Sequence, residues 1–171
     1  MKHTISVLVE NKFGVLARIS GLFSARGFNI TSLAVGETED PTVSRMTIVV
    51  QGDDRTLDQI KKQLNKLIDV IKVVDYKEGA FIDRELILIK ASITPKNRKE
   101  VLEVIESVGA NIVNAGAASI SVEAAGDQTK IKALLELLRP FGILEVVRTG
   151  RIAMDTSDKG LKAEGKPEVN E

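Results

Sequence analysis

The chain has 171 residues, of which 43% are hydrophobic and 28% charged, a balance that suits one or two small domains with their own cores. Its 24 basic and 24 acidic residues give a formal net charge of zero, which disfavours a nucleic-acid-binding surface. Cysteine is absent, so disulfides, thiolate metal sites and cysteine nucleophiles are excluded. No apolar run is typical of a signal peptide or a membrane span, and we expect a cytoplasmic protein.

The first half of the chain predicts the element order βαββαβ. Residues 3–10 alternate between apolar and polar and predict a strand. Residues 10–30 predict a turn at Gly14 and one amphipathic helix that ends at Gly27. The remaining predicted elements are a hairpin of strands 29–37 and 44–51, a helix that carries Leu57, Ile60, Leu64 and Leu67, and a strand over 70–77. This order indicates a ferredoxin-like unit, a four-stranded antiparallel sheet with two helices on one face.

The second half repeats the pattern. It predicts a strand over 84–92, a helix that starts at Pro95, a hairpin of 111–115 and 120–124, a helix capped by Gly126-Asp127, and a strand over 143–149. The sequence GFNI at 27–30 recurs as GANI at 109–112. We therefore predict an α+β fold of two tandem ferredoxin-like domains. The predicted domains are 1–78 and 84–154, with a linker over 79–83 and a disordered, charged tail over 155–171.

The turn at Gly14 points to a ligand. Gly14 lets the backbone approach a ligand closely, just where the first turn of the predicted helix exposes unpaired N–H groups. Those donors and the helix dipole favour an anion, such as a carboxylate or a phosphate. If the strands before and after the helix lie side by side, the side-chain amides of Asn11 and Asn29 converge near this turn and orient a small polar ligand.

Each of these residues also has a purely structural explanation. Gly14 can serve only for its backbone angles, Asn29 only as the end of a helix cap, and Asn11 only to bond its own turn. At the offset of the repeat, the second half has Ile93 in place of Asn11 and Lys96 in place of Gly14. If the turn is a ligand site, only the first half has it.

The residue types indicate a binding module rather than a catalyst. The sequence offers no nucleophile–base arrangement, no metal-ligand spacing and no phosphate-loop lysine. RNA-recognition domains share this element order but stack bases on aromatic residues, and the predicted strand 44–51 has none. In that strand Arg45 is interpreted as an exposed edge charge and Met46 as a core residue. A metal-chaperone version of the fold would need cysteines.

Three stretches of the chain resemble a known family. They are ENKFGVLARISGLFSARGFNI at 10–30, DPTVSRMTIVVQGDD at 40–54 and QIKKQLNKLIDVIKVVD at 59–75. Together they resemble the regulatory (small) subunit of acetohydroxyacid synthase, also called acetolactate synthase. The first stretch alone resembles an ACT domain, a βαββαβ module that binds amino acids. The resemblance continues more loosely to about Met154.

The resemblance implies a protein that is not catalytic by itself. It would activate a separate catalytic subunit, which carries thiamine diphosphate, magnesium and FAD, and would confer feedback inhibition by valine in branched-chain amino-acid biosynthesis. The first domain would form a homodimer with valine at its interface, and Asn29 would come from the same or the facing subunit. No cofactor, metal, nucleic acid or membrane is expected on this chain. The implied effector-binding residues are Asn11, Gly14, Val15, Leu16, Asn29 and Ile30.

Two alternatives stay open at this stage. One is a free-standing amino-acid-sensing ACT protein that regulates another enzyme or a transcription factor. The other is a ferredoxin-like oligomerisation module with no ligand. The sequence also leaves open the choice among valine, leucine and isoleucine as effector, and the surface that contacts a catalytic subunit.

Overall fold

The computed structural model describes residues 1–76 and 81–161. Their contacts divide the chain into two compact units, one from Met1 to Ile82 together with the segment that begins at Ala153, and the other over Asp83–Ile152. Residues 79 and 80 of the predicted linker and residues 162–171 of the predicted tail lie outside the described residues. Among the described residues, no helix has the length and apolar character needed to cross a membrane.

The first unit has the predicted βαββαβ order. Its elements are β1 (Lys2–Glu10), α1 (Val15–Ala25), β2 (Ile30–Glu37), β3 (Val43–Gln51), α2 (Asp54–Leu64) and β4 (Val70–Tyr76). The strands form one sheet in the order β2-β3-β1-β4, and every neighbouring pair is antiparallel. The ferredoxin-like fold predicted for this half is confirmed.

The core of the first unit lies between this sheet and its two helices. Alternate residues of β1 face the core because side chains of a strand point to opposite sides in turn. The buried core side chains include Ile5, Val7, Val9, Ile19, Phe23, Met46, Ile48, Ile60 and Leu64. Burial of each large aliphatic or aromatic side chain contributes roughly 1.5–3 kcal/mol. The apolar spacing that predicted these helices from the sequence thus corresponds to the helix faces that pack on the sheet.

The second helix of this unit is shorter than its apolar pattern suggests. Asp53 caps α2, because its carboxylate accepts a hydrogen bond from the backbone N–H of Thr56 at 2.7 Å. The helix ends at Leu64, and Leu67, predicted as a helical residue, lies in the following turn. Leu67 still packs against the core from that turn. The apolar spacing therefore continued past the end of the helix.

The second unit repeats the architecture. Its elements are β5 (Phe81–Ser92), which begins at the end of the first unit, α3 (Arg98–Ser107), β6 (Asn111–Ala115), β7 (Ser119–Gly126), α4 (Gln128–Leu138), a short 3-10 helix (Arg139–Phe141) and β8 (Ile143–Arg148). The sheet order β6-β7-β5-β8 corresponds to that of the first unit. Asp127 caps α4 through the N–H of Lys130 at 2.9 Å, at the cap predicted from the sequence.

The helix predicted to start at Pro95 begins three residues later. The backbone N–H of Thr94 donates to the Asn97 side-chain oxygen at 2.7 Å, and the N–H of Asn97 donates to the Thr94 hydroxyl at 3.3 Å. These two bonds close a turn over residues 94–97, and α3 starts at Arg98. The fixed φ of proline suits such a turn as well as it suits a helix start.

Two further predictions differ from the structure. Arg45 is not an edge charge, because β3 is an interior strand of the sheet and the guanidinium is hydrogen-bonded. A ninth strand, β9 (Ile152–Asp155), was not predicted, and it pairs with β5. Its Ala153, assigned from the sequence to the second domain, is 5% exposed and has its contacts in the first unit.

Candidate functional site

The turn between β1 and α1 leaves backbone donors without acceptors. Gly14 is the N-cap of α1, with φ 81° and ψ −4°, and its carbonyl accepts the first helical hydrogen bond, from Arg18 N–H at 3.0 Å. Across the described parts of the chain, no backbone or capping group accepts a hydrogen bond from the N–H of Leu16 or Ala17. Two donors at the positive end of the helix dipole are therefore available to an anion.

Gly14 is suited to this turn for two reasons. Its φ lies in the left-handed region, where a residue with a Cβ costs roughly 1–2 kcal/mol. A Cβ built on Gly14 would also lie 3.4 Å from Nη1 of Arg18, at the edge of an ordinary contact. The guanidinium thus packs closely against a backbone that carries no side chain.

Arg18 connects the turn to the loop between α2 and β4. Its Nε and Nη2 donate to the same carboxylate oxygen of Asp69, at 2.8 and 2.7 Å. The Asp69 side chain is only 10% exposed, and its carbonyl accepts the N–H of Glu10 at 2.9 Å. A helical side chain leans toward the N-terminus of its helix, which brings Arg18 back over Gly14. Asp69 offsets much of the positive charge that Arg18 adds there.

Asn11 connects the same turn to the hairpin between β2 and β3. Its side-chain amide donates to the Glu37 carboxylate at 3.0 Å and to the Pro41 carbonyl at 2.9 Å, and its backbone N–H donates to the Thr42 carbonyl at 2.7 Å. These bonds use the amide hydrogens of Asn11 and leave its side-chain oxygen as an acceptor. That oxygen and the exposed Glu37 carboxylate both suit a cationic group such as an ammonium.

The hairpin itself is held in shape by Asp40. Its carboxylate accepts the backbone N–H of Thr42 at 2.9 Å and the Thr42 hydroxyl at 2.7 Å. These two hydrogen bonds hold the pKa of Asp40 below its usual value, because they stabilise the charged form. The carbonyl that Asn11 contacts at Pro41 is therefore part of an ordered turn.

Asn29 lies at the opposite end of the sheet from Asn11. Glu10, next to Asn11, pairs with Val43 of β3, whereas Ile30, next to Asn29, pairs with Val50. Seven residue steps along β3 separate those two levels, which is about 23 Å at roughly 3.3 Å per residue. Strand β3 also lies between β1 and β2. The expectation that both amides converge on the Gly14 turn within one chain is wrong.

The other predicted site residues fall into two groups. Val15 is 3% exposed, so its side chain belongs to the core and only its backbone borders the turn. Leu16 is 45% exposed beside the same turn. Ile30 is half-buried at the start of β2, with Asn29. The structure thus groups Asn11, Gly14 and the backbone of the next two residues, and places Asn29 and Ile30 elsewhere.

Three charged residues at the turn were missed by sequence reasoning. Arg18 had a usable signal, since it lies four residues after Gly14 on the helix that starts there. Glu37 lies at the end of a predicted strand, and its contact with Asn11 depends on how the hairpin folds back. Asp69 is 51 residues from its partner Arg18, and no local pattern connects them.

The matching turn of the second unit is built differently. Ile93, in place of Asn11, is a core residue at 3% exposure, and Lys96, in place of Gly14, lies exposed in the turn closed by Thr94 and Asn97. No described residue other than glycine has a positive φ, so Lys96 does not reproduce the Gly14 conformation. The second turn therefore lacks the left-handed glycine and the asparagine of the first, although among the described residues the N–H groups of Lys99 and Glu100 at the start of α3 also have no capping acceptor.

Two family models match this chain in succession. Residues 5–72 match the AHAS small subunit-like ACT domain, and residues 84–157 match the small subunit of acetolactate synthase. The first match covers β2, β3 and both helices of the first unit, most of β1 and the beginning of β4.

Full-length relatives show the same similarity. A probable acetolactate synthase small subunit from Archaeoglobus fulgidus is 51% identical over 159 residues, which cover 93% of this chain and 99% of the relative. An acetolactate synthase small subunit from Mycobacterium bovis is 49% identical over 159 residues, 93% of this chain and 95% of the relative. The crystal structure of the acetolactate synthase small subunit from Thermotoga maritima matches with a TM-score of 0.85 at 36% identity, over 93% of this chain and 99% of that one. The chain therefore belongs to the acetolactate synthase small subunit family, and its first unit is an ACT domain.

Proposed function

We propose that this chain is the regulatory subunit of acetohydroxyacid synthase, which activates a separate catalytic subunit and confers feedback inhibition by valine. Family membership supports the coarser part, a small subunit that accompanies a catalytic partner. Activation and the response to valine are the finer part of the proposal. Thiamine diphosphate, magnesium and FAD are assigned to the catalytic subunit, and no cofactor is assigned to this chain.

The observation that carries the effector proposal is the complementarity of the Gly14 turn to an amino acid. The carboxylate of valine would accept hydrogen bonds from the N–H groups of Leu16 and Ala17 at the start of α1. Its ammonium group would lie near the Asn11 side-chain oxygen and the Glu37 carboxylate. An aliphatic side chain would find apolar surface on Leu16 and on the fully exposed Phe13.

The position of Asn29 supports a site shared between two copies of the chain. A separation of about 23 Å along the strands is several times the length of an amino acid, so one valine cannot contact Asn11 and Asn29 of the same chain. If both asparagines bind the effector, Asn29 comes from a second copy. We therefore propose a homodimer through the ACT domain, with two equivalent composite sites.

Copurification with an activity assay tests the regulatory role. Tagged chain, expressed in its source cell, should retain a thiamine-dependent partner, and adding the purified chain should raise that partner's acetolactate production. Valine should then reduce the production. Valine binding without such a partner would favour a free-standing amino-acid sensor. If the chain neither retains such a partner nor binds valine, an oligomerisation module is the remaining alternative.

Mixed dimers test the composite site. Asn11→Ala and Asn29→Ala chains should each fail to bind valine as homodimers. A dimer of one Asn11→Ala chain and one Asn29→Ala chain has one site with both substitutions and one with neither. Calorimetric titration of that mixed dimer should recover wild-type affinity at half the wild-type stoichiometry. No recovery would place both residues in one chain's site, and an Asn29→Ala homodimer that still binds valine would place Asn29 outside the site.

A further inference from the structure

Arg45 is hydrogen-bonded to three neutral acceptors on the face of the first sheet that is opposite the core. Its Nη2 donates to the Tyr76 hydroxyl and to the Ala153 carbonyl, each at 2.6 Å, and Nε donates to the Ser6 hydroxyl at 3.3 Å, an oxygen that also lies 3.2 Å from Nη2. Its neighbour Met46 faces the core, so Arg45 faces the other way. Within residues 1–76 and 81–161, no carboxylate forms an ion pair with Arg45.

These acceptors lie where the chain leaves the first unit and where it returns. Tyr76 is the last residue of β4, and its ring stacks on Phe81 at the start of β5, with a centroid distance of 5.1 Å. The chain leaves the first unit after Ile82 and returns to it at Ala153. The guanidinium of Arg45 therefore joins the exit point and the return point of a long chain loop.

The bonds are well suited to hold those points together. Ser6, Tyr76 and Ala153 are 0%, 6% and 5% exposed, so water competes poorly for the same groups. Arginine stays charged at any pH that a folded protein tolerates, and hydrogen bonds from a charged donor are roughly twice as strong as neutral ones. Its planar group can also reach acceptors on separate segments at once.

We infer that Arg45 is a clasp, defined by its bonds to Ser6, Tyr76 and Ala153, which fastens β9 to the first sheet and closes the chain loop between Tyr76 and Ala153. Strand β9 pairs with β5. Residues 81–84 of β5 come before the part of that strand that pairs with β7 and β8. A ribbon of two strands is marginally stable unless it packs on something else. The clasp supplies that attachment, because it bonds the β9 backbone directly.

Opening the clasp should loosen β9 and leave both cores folded. Neither hydrophobic core includes Arg45, and the Ser6, Tyr76 and Ala153 groups that it contacts lie outside the two buried clusters. The effect is therefore local, and it is separate from effector binding at the Gly14 turn.

Hydrogen exchange with mass spectrometry on the full chain tests the clasp. In Arg45→Met, which keeps an unbranched side chain but donates no hydrogen bond, amides of β9 should exchange about tenfold faster than in the wild type. Amides of β1, α3 and α4 should exchange as before. Arg26→Met is the matched control, since it removes an exposed guanidinium whose partner is the Gln63 side chain at 2.9 Å in the same unit. It should leave β9 unchanged.

Tyr76→Phe provides a second variant that removes one hydroxyl and keeps the guanidinium. It should accelerate exchange of β9 by a smaller factor than Arg45→Met, and it decides the question if Arg45→Met does not fold. Exchange of β9 within about twofold of the wild type in the folded variants overturns the clasp. An acceleration that is equal in β9, β1 and α4 also overturns it, because it would show a general loss of stability.

Discussion

Gly14 is the position where the proposed effector site can be disabled while the protein stays folded. Gly14→Asp puts a carboxylate at the start of α1, where the carboxylate of valine would lie. The new side chain would also meet Nη1 of Arg18, which is 3.4 Å from the position of its Cβ. The protein would then supply its own anion to the turn.

The cost of Gly14→Asp to stability should be small. A side chain in the left-handed region costs roughly 1–2 kcal/mol. A negative charge at the N-terminus of a helix returns roughly 0.3–1 kcal/mol. The net loss is about 1 kcal/mol, against roughly 5–15 kcal/mol for a typical domain, so the variant should fold and assemble.

The cost to binding should be much larger. Two like charges about 4 Å apart repel by about 1 kcal/mol in water and by about 4 kcal/mol near a protein surface. Valine affinity should therefore fall by a factor between about 5 and 1,000, in addition to the loss of the two N–H donors. Coupling between sites is typically ~1–3 kcal/mol, so loss of the effector contact can abolish inhibition.

The assay is acetolactate production by the reconstituted enzyme over a range of valine concentrations. With Gly14→Asp, activation should persist and inhibition should disappear. Gly14→Asn introduces a neutral side chain of nearly the same shape as that of Gly14→Asp. The difference in valine inhibition between these two variants therefore measures the effect of the negative charge. Lys96→Asp, in the matching turn of the second unit, should leave inhibition intact because Thr94 and Asn97 already close that turn.

Two results would refute this reasoning. One is a Gly14→Asp enzyme that valine still inhibits at wild-type concentrations. The other is escape from inhibition by Lys96→Asp, which would move the effector site to the second unit. Loss of activation together with inhibition in Gly14→Asp would show a folding or assembly defect, and a melting curve of the variant distinguishes that case.

At micromolar concentration the chain should be at least a dimer because the proposed site needs two copies, and a monomer by light scattering, with and without valine, would contradict this. A chain that ends at Met154 keeps Ala153 and should bind valine with unchanged affinity; a loss of about tenfold, or roughly 1.4 kcal/mol, would show that the later residues take part. Asp53→Ala should lower the melting temperature at neutral pH, because it removes the cap on α2. Hydrogen bonding to Thr56 lowers the pKa of Asp53, so the cap stabilises the fold above the ordinary value of 3.8 and this contribution fades as pH falls through the lower, folded-state pKa. The difference in melting temperature should therefore shrink in acid, and a constant difference would contradict the assignment.

Features governed by neighbouring residues could be predicted from the sequence. Apolar periodicity predicted the strands and helices of both units, and the cap at Asp127 followed from the residue type before a helical pattern. Pro95 was misleading because proline suits a turn as well as a helix start, and the side chains of Thr94 and Asn97 decided between them. Strand β9 was missed because its partner β5 lies some seventy residues earlier in the chain.

In the candidate site, too, the features set by neighbouring residues were predictable from the sequence, and the features set by the tertiary fold were not. The backbone conformation at Gly14 follows from glycine before a helix, and the structure has it. The convergence of Asn11 and Asn29 failed because it depends on strand order, and β3 lies between their strands. The contact between Arg18 and Asp69 depends on where a distant loop lies, which no spacing along the chain encodes. The effector-binding role of these residues stays a prediction.

In the proposed composite site, the placement of Asn11 and Asn29 at opposite ends of one sheet would make feedback depend on how much protein is present. A ligand that needs one asparagine from each of two copies binds the pair and not the single chain, so it favours association by mass action. Apparent sensitivity to valine should then decline when the chain is diluted below the dissociation constant of its own dimer. A cell that makes too little of this subunit would respond weakly to valine even with every binding residue intact, and the level of expression would set the threshold of inhibition.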